Sequence, residues 1–443
     1  MSRTTRLNAR WLITMQTSPP EVLEHQRVYI RDGQILAIHS MDAPDQPFDE
    51  EVDQPFDEEV DLSEQLLMPG YVNAHGHAAM SLFRGMADDL PLMSWLQDHI
   101  WPAESRWVDR DFVYQGTRLA IAEMLRSGTT TFADMYFYPD GVLDAAIETG
   151  MRCVSFTPVI DFPSAYGQNP DEYIQKALTV HEQYRHQPLV SIGLGPHAPY
   201  TISDAPLRQI SILAEEFNMP VQIHLHETAF EVSQSLELHG CRPSQRLAQL
   251  GFLDAHVSCA HMTQVNDDDL EIFRQSGASI VHCPESNLKL ASGFSPVAQL
   301  LSSGINVGLG TDGAASNNDL NMQAEMQTAA LLAKAVASDA SALPAWQALE
   351  MATIGGAKAL GISDQTGSIE PGKYADLQAI NMTDIAMQPM YNPISQLVYT
   401  GSSQFTSHVW VAGQCLLKDG QLTTLPMDEL LAQAHSWQRS ISG

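Results

Sequence analysis

Histidines and carboxylates recur in this chain at the ends of short apolar runs. Leu67–Asn73 is followed by His75-Gly76-His77, and Val221–Leu225 ends in His224-Leu225-His226-Glu227. Val257–Ala260 is followed by His261, and Asn306–Gly310 by Thr311-Asp312. In extended backbone, residues i and i+2 point to the same side, so His75 and His77 can face one ion. One His-x-His is a weak signal, because histidine is often only a packing residue. Four such strand ends are a stronger one, since barrels of parallel strands build their sites from the C-terminal ends of several strands. Imidazole and carboxylate without thiolate suit zinc, with Fe2+ second, and an open position for water. Such an ion lowers the pKa of its water to roughly 7, which supplies a nucleophile at neutral pH.

The elements that must position these residues are readable from patterning. Candidate strands are Leu67–Asn73, Thr129–Asp134, Cys153–Val159, Val190–Gly195, Val221–Leu225, Val257–Ala260, Ser279–His282 and Asn306–Gly310. Helical periodicity lies between them at Thr117–Arg126, Leu207–Phe217 and Asp319–Lys334. Eight strands alternating with helices predict an α/β fold, a closed (β/α)8 TIM-like barrel over residues 66–365. The first sixty residues read as short strands, with a hairpin turning at Asp32-Gly33. Strand-like runs return at Leu377–Ile380, Ser407–Val411 and Gly413–Lys418. A small β-sandwich domain built from both chain ends, 1–65 and 366–443, is therefore expected. Asp45–Val52 and Asp53–Val60 are identical eight-residue copies, D-Q-P-F-D-E-E-V, too short and acidic for a repeat array and read as an exposed loop.

Bulk composition narrows the partners. The net charge of -30 repels phosphate backbones and anionic membrane surfaces, so a small neutral or cationic molecule is favoured over nucleic acid or membrane. Five scattered cysteines without C-x-x-C spacing indicate neither a disulfide framework nor a thiolate site, and inert buried thiols are expected. Without a secretory h-region or a bilayer-length apolar run, a cytoplasmic location is expected by default.

Five stretches carry a family resemblance: Met68-Pro69-Gly70-Tyr71-Val72-Asn73-Ala74-His75-Gly76-His77, Arg84-Gly85-Met86-Ala87-Asp88-Asp89-Leu90, His224–Glu227, His282–Leu290 and Gly310-Thr311-Asp312-Gly313. Together they resemble the amidohydrolase superfamily, and more narrowly the methylthioadenosine/S-adenosylhomocysteine deaminases and their chlorohydrolase relatives. The likeness extends to Gly367–Leu377. It implies hydrolytic removal of the 6-amino group of an adenine nucleoside, by water activated on one zinc ion (Fe2+ as alternative), with release of ammonia. It also implies roles: His75, His77, His224 and Asp312 as metal ligands, and Asp312 as the base that takes a proton from the water. Glu227 would shuttle a proton to ring N1 and His261 would orient the water. His197 would reach purine N3, Glu104 the ribose diol, and Trp95 would line the nucleoside pocket. His226 is left out as a packed or surface histidine.

Two departures refine this picture. Relatives that accept S-adenosylhomocysteine hold its carboxylate with arginines in the loop after the third strand. Cys153 to Tyr184 contains no arginine, and Lys176 is its one strongly basic residue, which shifts weight toward methylthioadenosine or adenosine. Binuclear members bridge two metals through a lysine on the fourth strand; Val190–Gly195 has none, so one metal is expected. Two other readings stay open: a hydrolase of another amino-heterocycle such as guanine or a triazine, and a non-catalytic scaffold. The retained ligands weigh against the scaffold. A homo-oligomer is left open.

Overall fold

A computed structural model of the chain describes residues 4–42 and 56–442. Eight parallel strands form its centre: β1 Tyr71–Asn73, β2 Thr129–Asp134, β3 Arg152–Val159, β4 Val190–Pro196, β5 Val221–Leu225, β6 Val257–His261, β7 Ser279–His282 and β8 Val307–Leu309. They are hydrogen-bonded in sequence order. Loop bonds close the ring between β8 and β1: Ala74 N–H donates to Leu309 O at 2.8 Å, and Asp312 N–H to His75 O at 3.0 Å. Asn73 and Thr311 lock the same seam, Nδ2 to Oγ1 at 2.8 Å and N–H to Oδ1 at 3.0 Å. Gly310 is required here, because a Cβ at that position would meet His75 N at 2.7 Å. The expected barrel is thus present, and its seam lies directly beneath His75 and Asp312.

The barrel strands are buried almost without interruption, as expected of a sheet covered on both faces. Helices cover the outside, including Arg110–Arg126, Asp204–Phe217 and Met322–Ala337, where helical periodicity was predicted.

A second sheet of eight strands draws on both ends of the chain. Its order is Gln421–Leu422, Gln414–Lys418, Thr406–Val411, Leu377–Asn381, Glu58–Pro69, Thr4–Ile13, Val22–Arg31, Gln34–Ser40. The Asp32-Gly33 hairpin forms as read: Arg31 faces Gln34, and both turn residues have the positive φ that a two-residue turn demands. We propose the division into 1–65 with 366–443 and 66–365 on this basis, Glu58–Pro69 running from one unit into the other. A buried ion pair fastens the sheet to the barrel. Arg152 on β3 donates to both oxygens of Asp376, at 2.6 and 3.2 Å, and Asp376 also accepts Ala412 N–H at 2.7 Å. The terminal helix Met427–Ser442 lies on the barrel, Trp437 edge-on to Phe112 at 5.2 Å.

The duplicated stretch differs in part from expectation. Residues 45–55 lie outside the described residues, but Glu58–Val60 are strand, paired in parallel with Thr5–Leu7. The exposed-loop reading fails there because the acidic residues begin an interior strand of the sheet, with Glu59 bonded to Arg6 and Asn8 of its neighbour, and Leu62 already in the core. Cys153, Cys259 and Cys283 are buried, Cys241 and Cys415 partly so, and none is in a disulfide. Among the described residues no helix is long and apolar enough to cross a membrane.

Candidate active site

The strand ends bring the predicted ligands together at the C-terminal mouth of the barrel. His75, His77 and Asp312 offer ligand atoms that all lie within 4.8 Å of one another, and so do His75, His224 and His261. Asp312 Oδ1 is 3.5 Å from His75 Nε2 and 3.1 Å from His77 Nε2. Non-glycine residues with positive φ mark these turns: His226 (52°), His261 (78°), Met262 (48°) and Asp312 (62°). Such conformations are costly, and they persist where surrounding bonds over-determine them.

Each of the three proposed ligand imidazoles is oriented through Nδ1. His75 Nδ1 donates to Gln222 Oε1 at 2.7 Å, His77 Nδ1 to Met135 O at 2.7 Å, and His224 Nδ1 to His197 O at 2.6 Å. The Gln222 amide is fixed in turn, because its Nε2 donates to Ala74 O and Ser258 Oγ. With every Nδ1 proton committed, neutral rings present an Nε2 lone pair to the centre of the site. Buried His75 Nε2 has no hydrogen-bond partner. Lone pairs converging on a carboxylate oxygen repel unless a cation or a proton stands between them, so the donor set fits one metal ion.

The turn after β7 steadies the other half. Ser286 Oγ donates to Asp312 Oδ2 at 2.6 Å and Ser316 Oγ at 3.0 Å, while the neighbouring Asn287 Oδ1 accepts from His261 Nδ1 at 2.9 Å. One short helical turn, Pro284–Lys289, therefore aims both Asp312 and His261.

Burial sets the protonation states. Burial works to raise Asp312, but the imidazoles of His75 and His77 that face its Oδ1 hold its carboxyl well below the usual range. Burial, and then the Asp312 charge, push Glu227 up to about 8. Two carboxyl groups in one site are thus shifted in opposite directions. Glu227 Oε2 stands 4.0 Å from His261 Nε2. Burial and the surrounding imidazoles push His197 down to about 4, so its ring is neutral.

Above this floor opens a cavity of about 570 Å³. His77, Trp95, Glu104, His197, His224, Glu227, His261 and Asp312 all line it, with His75 buried just below. Trp95 and Glu104 come from one helical stretch, Leu92–Trp107, whose turn Trp95–Ile100 is π-helical. In a plain α-helix of about 3.6 residues per turn, positions 95 and 104 would face opposite ways. The wider turn removes part of that rotation and both side chains reach one cavity. Tyr136 O–H donates to Glu104 Oε1 at 2.7 Å, and burial pushes Glu104 up to about 7 against that bond. The outer wall is aromatic, with Trp101, Phe137, Tyr138, Phe162 and Tyr166.

His226 is the packed residue anticipated. It is fully buried, donating from Nδ1 to Gln264 O at 3.0 Å and accepting Ser244 N–H at Nε2. Sequence reasoning missed Gln222, Ser286, Asn287 and Tyr136. Gln222 had a signal, since period two puts it on the His224 face of β5.

Comparison with known proteins agrees with this geometry. Residues 66–416 match the model of the amidohydrolase family. The chain belongs to that family. This amidohydrolase is 52% identical to the 5-methylthioadenosine/S-adenosylhomocysteine deaminase of Saccharophagus degradans, over 98% of this chain and 96% of the relative. It is 39% identical to the protein of that name in Thermodesulfovibrio yellowstonii, over 100% and 99%. A crystal structure of an adenosine deaminase from Xanthomonas campestris with bound zinc superposes with a TM-score of 0.95 at 43% identity, covering 99% and 98%. An atrazine chlorohydrolase from Arthrobacter aurescens shares the fold, with a TM-score of 0.90 at 24% identity over 98% and 99%.

Proposed function

We propose that this amidohydrolase hydrolyses the 6-amino group of an adenine nucleoside, methylthioadenosine or adenosine foremost, releasing ammonia and the 6-oxo product. The observation that carries the reading is geometric: the rings of His75, His77 and His224 stand with centroids 4.8 to 5.5 Å apart, Asp312 faces two of them, and Glu227 lines the same cavity. The relatives named above, and the zinc in the Xanthomonas structure, support the substrate class and the metal.

His75, His77, His224 and Asp312 would hold one zinc ion, with Fe2+ the alternative. Bound there, the ion supplies Lewis acidity that makes its water a nucleophile near neutral pH. Asp312, held as carboxylate by Ser286 and Ser316, accepts the proton of the attacking water. Glu227, protonated at neutral pH, donates to ring N1 as C6 becomes tetrahedral, and His261 faces the attacking oxygen with its Nδ1 held by Asn287. Of the water's two protons, one passes by way of Asp312 to the departing amino group and the other restores Glu227, so the products are ammonia and the 6-oxo purine. His197 presents Nε2–H to purine N3 when Thr201 O–H, 3.3 Å from Nδ1, donates to the ring. Glu104, with one oxygen on Tyr136, keeps the other for the ribose diol, and Trp95 packs on the nucleoside.

The test is ammonia release from methylthioadenosine, adenosine, S-adenosylhomocysteine and guanine. Turnover of the adenine nucleosides is expected; turnover of guanine alone would overturn the assignment.

A further inference from the structure

We propose that Glu231 is a positioning residue for Glu227, fixing the backbone after β5 in the one conformation that aims Glu227 at the reacting centre; this rests on the acid role given to Glu227 above. Glu231 stands in the first turn of the helix Ala229–His239 and is 3% exposed. It is not among the residues that line the substrate cavity. Its two carboxyl oxygens accept two consecutive backbone N–H groups, His226 at 2.9 Å on Oε1 and Glu227 at 2.9 Å on Oε2.

The demand for such an acceptor follows from the chain path. His226 takes φ 52°, in the left-handed region that side chains disfavour, and the turn that follows points two adjacent N–H groups into the protein. Buried donors of this kind must be paired. The opposite side of the segment is held separately: Thr263 N–H and Oγ1 donate to His226 O and Glu227 O, at 3.0 and 2.8 Å. The donor side depends on Glu231. Among side chains, a carboxylate alone offers two acceptor oxygens to two parallel N–H groups, whereas an amide turns a donor toward one of them. Burial pushes Glu231 up to about 8, the bonds from the His226 and Glu227 N–H groups oppose it, and the helix N-terminus favours negative charge there; Thr228 Oγ1 accepts Glu231 N–H at 3.3 Å, closing the loop onto the same turn. A carboxylate four residues beyond Glu227, in helix register, thereby sets the direction of Glu227 without touching substrate.

A double-mutant cycle tests this. Steady-state turnover of methylthioadenosine and metal content would be measured for the wild type, E231A, E231Q, E227Q and both double variants. E231A should lower kcat about 30-fold with KM within about threefold and metal content unchanged, and E231Q should fall between. With E227Q already present, removing Glu231 should cost less than about threefold, because the group it aims has lost its role. Equal losses in both backgrounds, or loss of metal from E231A, would overturn the proposal in favour of a general structural role. Should E231A not fold, E231Q carries the same cycle. A wild type that releases no ammonia from any adenine nucleoside would overturn the deaminase reading, and an E227Q enzyme with undiminished kcat would overturn the acid role alone.

Discussion

The floor and the outer wall of the cavity are built on opposite principles. The floor is polar, assembled from the ends of strands β1, β5, β6 and β8, and each oriented side chain has its rear atom tied to a second residue. The wall is apolar and aromatic, contributed by the Leu92–Trp107 stretch and by loops after β2 and β3. Preorganisation belongs where charge develops in the transition state, because only interactions that strengthen there accelerate the reaction. The wall gives binding energy that substrate and transition state share. Damage to the floor should therefore appear in kcat, and damage to the wall in KM.

The largest separation is expected at Asp312. D312N would remove the proposed ligand and the proposed base together, and kcat/KM for methylthioadenosine should fall by about 10⁴-fold or more, read by ammonia release. Replacing Glu227 should cost about 10²- to 10⁴-fold in kcat. Here pH sharpens the comparison. In the proposed acid role Glu227 acts in its protonated form, which is full below its pKa of about 8 and is lost as pH rises through it. The wild-type rate should fall on the alkaline side of pH 8, and E227Q should lack that limb. An E227Q profile with the same alkaline fall would assign it to another group.

One bond behind the floor, Q222L should weaken metal binding by about 10- to 100-fold, measured by titration against a chelator, since His75 loses the acceptor that fixes its tautomer. The wall should yield the smallest effects. W95A and E104Q should each raise KM for nucleosides by about tenfold with kcat nearly preserved. A wall variant that loses kcat and keeps KM would erase the distinction between the two regions.

The same contrast explains what was legible in the sequence. His75, His77, His224, His261 and Asp312 were readable because the strands that carry them are short apolar runs, and an imidazole or carboxylate at the end of such a run stands out. The barrel followed from the same runs. Gln222, Ser286 and Asn287 escaped because amides and hydroxyls in a core are ordinarily satisfied locally, and only coordinates show that their partners are site residues. The wall aromatics Phe137, Phe162 and Tyr166 come from loops that have no periodicity to declare which way they face. The π-helical turn at Trp95–Ile100 has no signature in residue type, yet it decides that Trp95 and Glu104 share a cavity. Glu58–Val60 was misread because a run of acidic residues looks solvated, although alternation with Val60 and Leu62 suits a sheet strand.

Metal removal and return tests the central claim most directly. The purified protein should carry about one transition-metal ion per chain, lose methylthioadenosine turnover in step with chelation, and regain it on titration with one equivalent of zinc. Protein stripped of metal that still deaminates at the full rate would contradict the account, since Asp312 and Glu227 alone cannot make water a sufficient nucleophile at neutral pH.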